Sequence, residues 1–153
     1  MIKMLIMDVD GTLTDGKIYI SSEGEIMKAF SVKDGLGISK LKKYGIIPVI
    51  ITGRSSEIVT KRARELNITE VIQGVHDKVK ELKNICEKYN FKLDDIAYIG
   101  DDENDLECMK LCSIKGCPAD AVEVVKKASD FVCVNNGGNG AVREFIDYIL
   151  NTL

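Results

Sequence analysis

Five short runs rich in apolar and β-branched residues recur along the chain: Lys3–Val9, Ile46–Thr52, Glu70–Gln73, Ile96–Gly100 and Phe131–Val134. Between and after them lie stretches with helical spacing, Leu36–Tyr44, Glu57–Leu66, Lys78–Tyr89, Asp102–Leu111, Ala119–Lys127 and Ala141–Leu150. Strand followed by helix, repeated, is the pattern of a parallel sheet, because a parallel neighbour is reached only through a crossover. The expected fold is therefore α/β, a doubly wound parallel sheet with helices on both faces. One segment breaks the pattern: Lys17–Phe30 alternates around a Ser-Glu-Gly turn and predicts a β-hairpin inserted after the first strand. With 153 residues and no repeat or linker, a single domain over 1–153 is expected.

In open sheets of this kind, ligands bind beyond the carboxyl ends of the strands. Here those ends carry polar chemistry. The first strand stops at Asp8 and Asp10, the second at Thr52-Gly53-Arg54, and the fourth at Gly100-Asp101-Asp102 with Asp105 just after; Lys78 opens the helix after the third. Carboxylates brought together repel unless a cation or a reaction needs them. A hard divalent ion of the magnesium type, bound through oxygen, is the natural occupant. Thr52 and Lys78 would then face an anionic group.

Each residue also has a plain structural reading. Thr52 could cap the following helix, Lys78 could be solvated, and the acidic run 101–105 could serve a helix N-terminus. It is their joint placement at strand ends that points to a site. Composition narrows the classes further. A net charge of -3 with 29% charged residues lacks the basic excess of nucleic-acid binders. Neither a leader nor a long apolar segment is read, so no membrane partner is expected and the cytoplasm is. The five cysteines form no CxxC pair and read as buried small hydrophobes in a reducing compartment.

The series DVDGT, TGR, a lysine, then GDDEND resembles the four motifs of the haloacid dehalogenase superfamily of phosphatases. Longer segments, KAFSVKDGLGI, ITGRSSEIVTKRARELNI and GGNGAVREFIDYIL, are similar to the superfamily's 3-deoxy-D-manno-octulosonate 8-phosphate phosphatases, which act on a phosphorylated sugar acid. The resemblance implies that Asp8 is the nucleophile and forms an aspartyl phosphate. Asp10 would be general acid and then general base, its protonated form favoured by acidic neighbours. Magnesium would be held by Asp8, the Asp10 backbone carbonyl and Asp101. Thr52 and Lys78 would bind the phosphoryl oxygens, and Asp105 would orient Lys78 or a metal-bound water. Asp102 is left without a role.

Aligned on those phosphatases, Ser31, Val32, Lys33, Asp34, Gly35, Arg54 and Arg62 fall at substrate-contacting positions, with Arg62 and Lys33 facing the sugar carboxylate. The spacings leave no room for the cap domain that many superfamily members insert. A neighbouring subunit is then the expected source of a lid, and the resemblance implies a homotetramer assembled through the hairpin, where Ile18 and Ile20 share one side. Two alternatives stand beside this reading. One is a phosphatase for nonulosonate (sialic-acid-type) 9-phosphates, whose relatives tend to carry an acidic residue where this chain has Arg54, or for another phosphosugar. The other is a receiver-like phospho-signalling domain, which should carry its aspartate at the end of a mid-domain strand.

Overall fold

A computed structural model describes all residues, Met1–Leu153. The first strand, β1 (Met4–Met7), is buried along its whole length and lies mid-sheet. It pairs in parallel with β4 (Ile47–Ile51) on one side and with β6 (Ile96–Ile99) on the other, Met4 standing opposite both Ile47 and Ile96. β5 (Glu70–Ile72) extends the sheet beyond β4, and β7 (Ile114–Cys117) and β8 (Phe131–Val132) extend it beyond β6. All five pairings are parallel. The chain thus leaves β1 toward one edge and later returns to its other side, which opens a crevice at the carboxyl ends of β1, β4 and β6.

Alternation along β1 supplies two cores. Leu5 and Met7 point into one that takes in residues of α1 (Val32–Leu41), α2 (Glu57–Glu65) and α6 (Ala141–Asn151). Met4 and Ile6 point into the other, shared with α3 (Lys78–Tyr89), α4 (Leu106–Leu111) and α5 (Glu123–Ala128). All five cysteines are buried free thiols within these layers. No helix is long and apolar enough to cross a membrane.

The hairpin forms as its alternation predicts, as β2 (Tyr19–Ser21) and β3 (Gly24–Met27), a separate two-stranded sheet. No cap domain is present. Three departures from the sequence reading have local causes. β7 escapes the pattern because Lys115 and Gly116 interrupt its apolar run; glycine is required there, since a Cβ would come within 2.4 Å of the Phe145 ring. α1 starts at Val32 rather than near Leu36, with Ser31 as its cap, although Gly35 and Gly37 make the stretch read as a loop. Both glycines sit where helices meet, with Arg62 and Arg143 occupying the space of a side chain. The helices read from Ala119 and Asp102 are also shorter: α5 starts at Glu123, and a 3-10 turn, Glu103–Asp105, precedes α4.

Candidate active site

β1 delivers Asp8 to the crevice, and the chain then turns tightly through residues 9–13. Gly11 makes the turn possible: its φ is +90°, and a Cβ there would lie 1.9 Å from Asp101 Oδ2. The turn places the Thr12 hydroxyl so that it donates to Asp101 Oδ1 at 3.0 Å, tying the end of β1 to the end of β6. From the opposite side, Lys78 in the first turn of α3 brings its ammonium 3.1 Å from Asp8 and 2.9 Å from Asp105. Lys78 is only 6% exposed, which removes the solvated reading, and the cap of its helix is Asp77.

Asp105 is fully buried, and its oxygens are taken by donors: Oδ1 accepts from Lys78 and from the Tyr98 hydroxyl at 2.6 Å, Oδ2 from the backbone N–H groups of Asp101 and Asp102. It has little left to offer a cation and is built to hold Lys78. Asp102, without a role in the sequence reading, caps the turn that follows by accepting from Glu103 N–H at 2.7 Å.

Asp8, Asp101 and Asp105 have carboxylate oxygens within 4.8 Å of one another. Burial first, and then the charges of the facing carboxylates, push Asp8 up to about 6 and Asp101 up to about 8. Burial alone would lower Lys78, but Asp8 and Asp105 outweigh it and hold the ammonium charged. So, without further positive charge, the Asp8–Asp101 pair holds a proton between them at neutral pH. The donor set is oxygen only, which fits a hard divalent cation rather than a soft one. Asp8 and Asp101 are the side chains available to hold it.

Asp10 departs from expectation: its neighbours are cations. Lys28, the residue directly after the hairpin's second strand, places Nζ 2.6 Å from Oδ1, and Arg54 Nε stands 3.9 Å from Oδ2. The acidic pairs in the sequence suggested carboxylate neighbours, but those converge on Asp8, and the turn at Gly11 aims Asp10 toward the hairpin instead. Lys28 also pairs with Glu25 at 3.1 Å, and Glu25 in turn accepts a short hydrogen bond from the Ser56 hydroxyl. Ser56, not Thr52, caps α2 by accepting from Ile58 N–H. Thr52 is buried at the end of β4 with its backbone held by Ile72 and Val75.

Of the residues expected at the substrate, Arg54, Lys33 and Val32 are exposed and Ser31 is half-buried. Asp34 lies inside the fold, 2% exposed, with Oδ1 accepting from Arg143 N–H at the start of α6 and Oδ2 unpartnered. Gly35 is buried against Arg62. Arg62 packs beside the Phe30 ring and donates to the Ser31 carbonyl at 3.3 Å, so that it supports this segment from beneath.

Sequence reasoning overlooked Lys28 and Tyr98, and assigned no role to the Gly137-Gly138 loop. A Cβ on Gly137 would lie 2.0 Å from the Gly11 carbonyl oxygen, and Gly138 N–H donates to the Thr12 carbonyl at 3.1 Å. The loop therefore clamps the turn after Asp8. Its signal was the run NNGGNG, an unusual density of residues that tolerate tight backbone approach.

The haloacid dehalogenase-like hydrolase family model matches residues 63–146. The chain is 40% identical over 149 residues to the Escherichia coli K12 3-deoxy-D-manno-octulosonate 8-phosphate phosphatase, covering 97% of this chain and 79% of that protein. It is 35% identical to the zebrafish (Danio rerio) N-acylneuraminate cytidylyltransferase A, but spans only 35% of that longer protein while using 97% of its own length. Among solved structures, the Moraxella catarrhalis 3-deoxy-D-manno-octulosonate 8-phosphate phosphatase, in complex with magnesium, phosphate and KDO, is similar with a TM-score of 0.94 and 46% identity over 98% of this chain and 86% of that one. The cobalt-bound Haemophilus influenzae phosphatase gives a TM-score of 0.95 at 39% identity, over 98% and 88% of the two chains.

Proposed function

From the premise that this chain belongs to the haloacid dehalogenase-like hydrolase family, we propose that it is a magnesium-dependent phosphomonoesterase that converts 3-deoxy-D-manno-octulosonate 8-phosphate to the free sugar acid and phosphate. The observation that carries the reading is the buried Asp8–Lys78–Asp105 series beside Asp101, at the mouth of the central strands. A buried carboxylate paired to a lysine whose other partner is fully buried is costly as scaffolding alone. It suits a nucleophile that must meet a phosphoryl group.

In this reading an Asp8 carboxylate oxygen attacks phosphorus, the bond from phosphorus to the sugar oxygen breaks, and Asp10 gives that oxygen a proton. Water then attacks the aspartyl phosphate, with Asp10 taking back a proton, and Asp8 and inorganic phosphate are released. Lys78, fixed by Asp105, and the Thr52 hydroxyl bind the phosphoryl oxygens. Asp8, the Asp10 carbonyl and Asp101 would hold magnesium, which when bound supplies neutralisation of the phosphoryl charge. Arg54, exposed beside Asp10, is the cation at hand for the sugar acid, with Lys33, also exposed, as the second assigned to it.

The test is phosphate release from a panel of phosphosugars, with magnesium and with excess chelator. Preference for the octulosonate 8-phosphate, lost on chelation, is expected; release from none of them would end the reading. A nonulosonate 9-phosphate is the second candidate, favoured by the similarity to the zebrafish cytidylyltransferase and opposed by Arg54; the same panel ranks it. The receiver-like reading lacks its aspartate, since Thr52 is the residue that follows β4.

The working unit in this proposal is a homotetramer in the cytoplasm, a compartment that suits five unpaired thiols. Ile18, Ile20, Ile26 and Met27 are 46%, 64%, 59% and 53% exposed, so the hairpin does not bury its apolar residues on its own core. Apolar side chains left this exposed on one hairpin support its use as an association surface. Ile18→Lys with Ile20→Lys should lower the mass seen by light scattering and raise KM for the sugar phosphate; a fully active wild-type monomer would refute the assembly.

A further inference from the structure

We infer that Lys28 is a positioning residue for Asp10: it holds Oδ1, so that Oδ2 is the oxygen that exchanges the proton with the substrate. The inference rests on the role of Asp10 proposed above. Lysine is seldom fully buried, yet the Lys28 side chain is only 2% exposed, with its ammonium 2.6 Å from Asp10 Oδ1 and 3.1 Å from Glu25 Oε2. Glu25 is itself anchored by the Ser56 hydroxyl at the cap of α2.

This line of side chains joins three segments: the turn after β1, the hairpin, and the loop that follows Thr52 at the end of β4. An ammonium has three donors and a flexible stem. Held by Glu25, it cannot follow Asp10 and instead fixes one of its oxygens. The remaining oxygen lies toward Arg54, whose side chain is 52% exposed on the open side of the site. A purely structural ion pair would tie the hairpin down anywhere on its length. This one ends on the side chain that must meet the leaving oxygen, and misplacing such a group by about 1 Å can cost roughly 100-fold in rate.

The test compares leaving groups in the full-length protein with magnesium, reading kcat/KM, which reports the first phosphoryl transfer. A sugar phosphate needs its oxygen protonated as it departs, whereas p-nitrophenolate leaves as a stable anion. Lys28→Met should lower kcat/KM for the sugar phosphate by about 10- to 100-fold, a part of the roughly 100- to 10,000-fold that general acid–base catalysis contributes, and that for p-nitrophenyl phosphate by no more than ~3-fold; Lys28→Arg should recover most of the loss. Equal losses on both substrates, or none on either, would overturn the inference. If Lys28→Met does not fold by circular dichroism, Glu25→Gln takes its place, since it loosens Lys28 without removing it. A loss confined to the sugar phosphate is again expected, and equal losses would again overturn the inference. A wild-type protein that releases phosphate from neither substrate would instead overturn the phosphatase reading itself.

Discussion

Magnesium should displace a proton from this site, and the number released follows from the geometry. Asp8 and Asp101 are buried facing one another, with Asp8 raised to about 6 and Asp101 to about 8 in the metal-free protein. At pH 7 the pair together then carries close to one proton. A divalent ion takes ionised carboxylates, so binding expels about one proton per ion at pH 7 and almost none at pH 9.5. The same competition makes apparent affinity rise with pH, by roughly 200-fold between pH 6 and pH 9. Calorimetric titration of chelator-stripped protein with magnesium chloride, repeated in buffers of different ionisation enthalpy, measures the proton count directly. Saturable binding with no proton release at pH 7 would refute the reasoning, since the facing carboxylates would then both be ionised without a cation.

Asp8→Asn should abolish phosphate release while leaving the thermal midpoint of the metal-free protein unchanged or higher, because it removes a nucleophile and also a buried charge among carboxylates; steady-state turnover in the pure variant would count against the assignment. Burial raises Asp34 to about 6, outweighing the Arg143 N–H and the Arg62 and Arg143 charges. The folded chain therefore takes up this proton more readily than the unfolded chain, and the cost of the buried charge grows as pH rises from about 4 to 6. Asp34→Asn should accordingly stabilise the protein by ~1–3 kcal/mol at pH 8 and by nothing below about pH 4, measured by urea unfolding. Gly137→Ala would drive a methyl group into the Gly11 carbonyl. A loss of ~1–3 kcal/mol by the same assay is expected for such overpacking, along with a fall in kcat; wild-type values of both would show that the loop does not clamp the turn.

Much of the site was legible because strand ends are local features. An apolar run that stops on a carboxylate places that carboxylate at the sheet's edge wherever the strand lies in the order, so Asp8, Thr52 and Asp101 could be placed in advance. Lys78 was legible for a similar reason, as it opens a helix that directly follows a strand. Asp10 was placed correctly along the chain but given the wrong surroundings. Its neighbours depend on the direction in which the turn at Gly11 sends the side chain, and acidic residues nearby in sequence say little about that. Lys28 resisted detection because, on a hairpin of exposed apolar and charged residues, one lysine looks like another.

The α/β class, the hairpin and the acidic strand ends are each the product of periodicity or turn chemistry within a window of a few residues. The tertiary structure alone decided which charges meet. Asp101 is reached by Thr12 across 89 positions and Asp34 by Arg143 across 109, while Gly137 fits beneath Gly11 only because the sheet brings the two loops to one edge. Burial then converts those meetings into raised carboxyl groups and a charged buried lysine. A local pattern carries no record of such distances, because the desolvation that makes them costly exists only once the layers have closed.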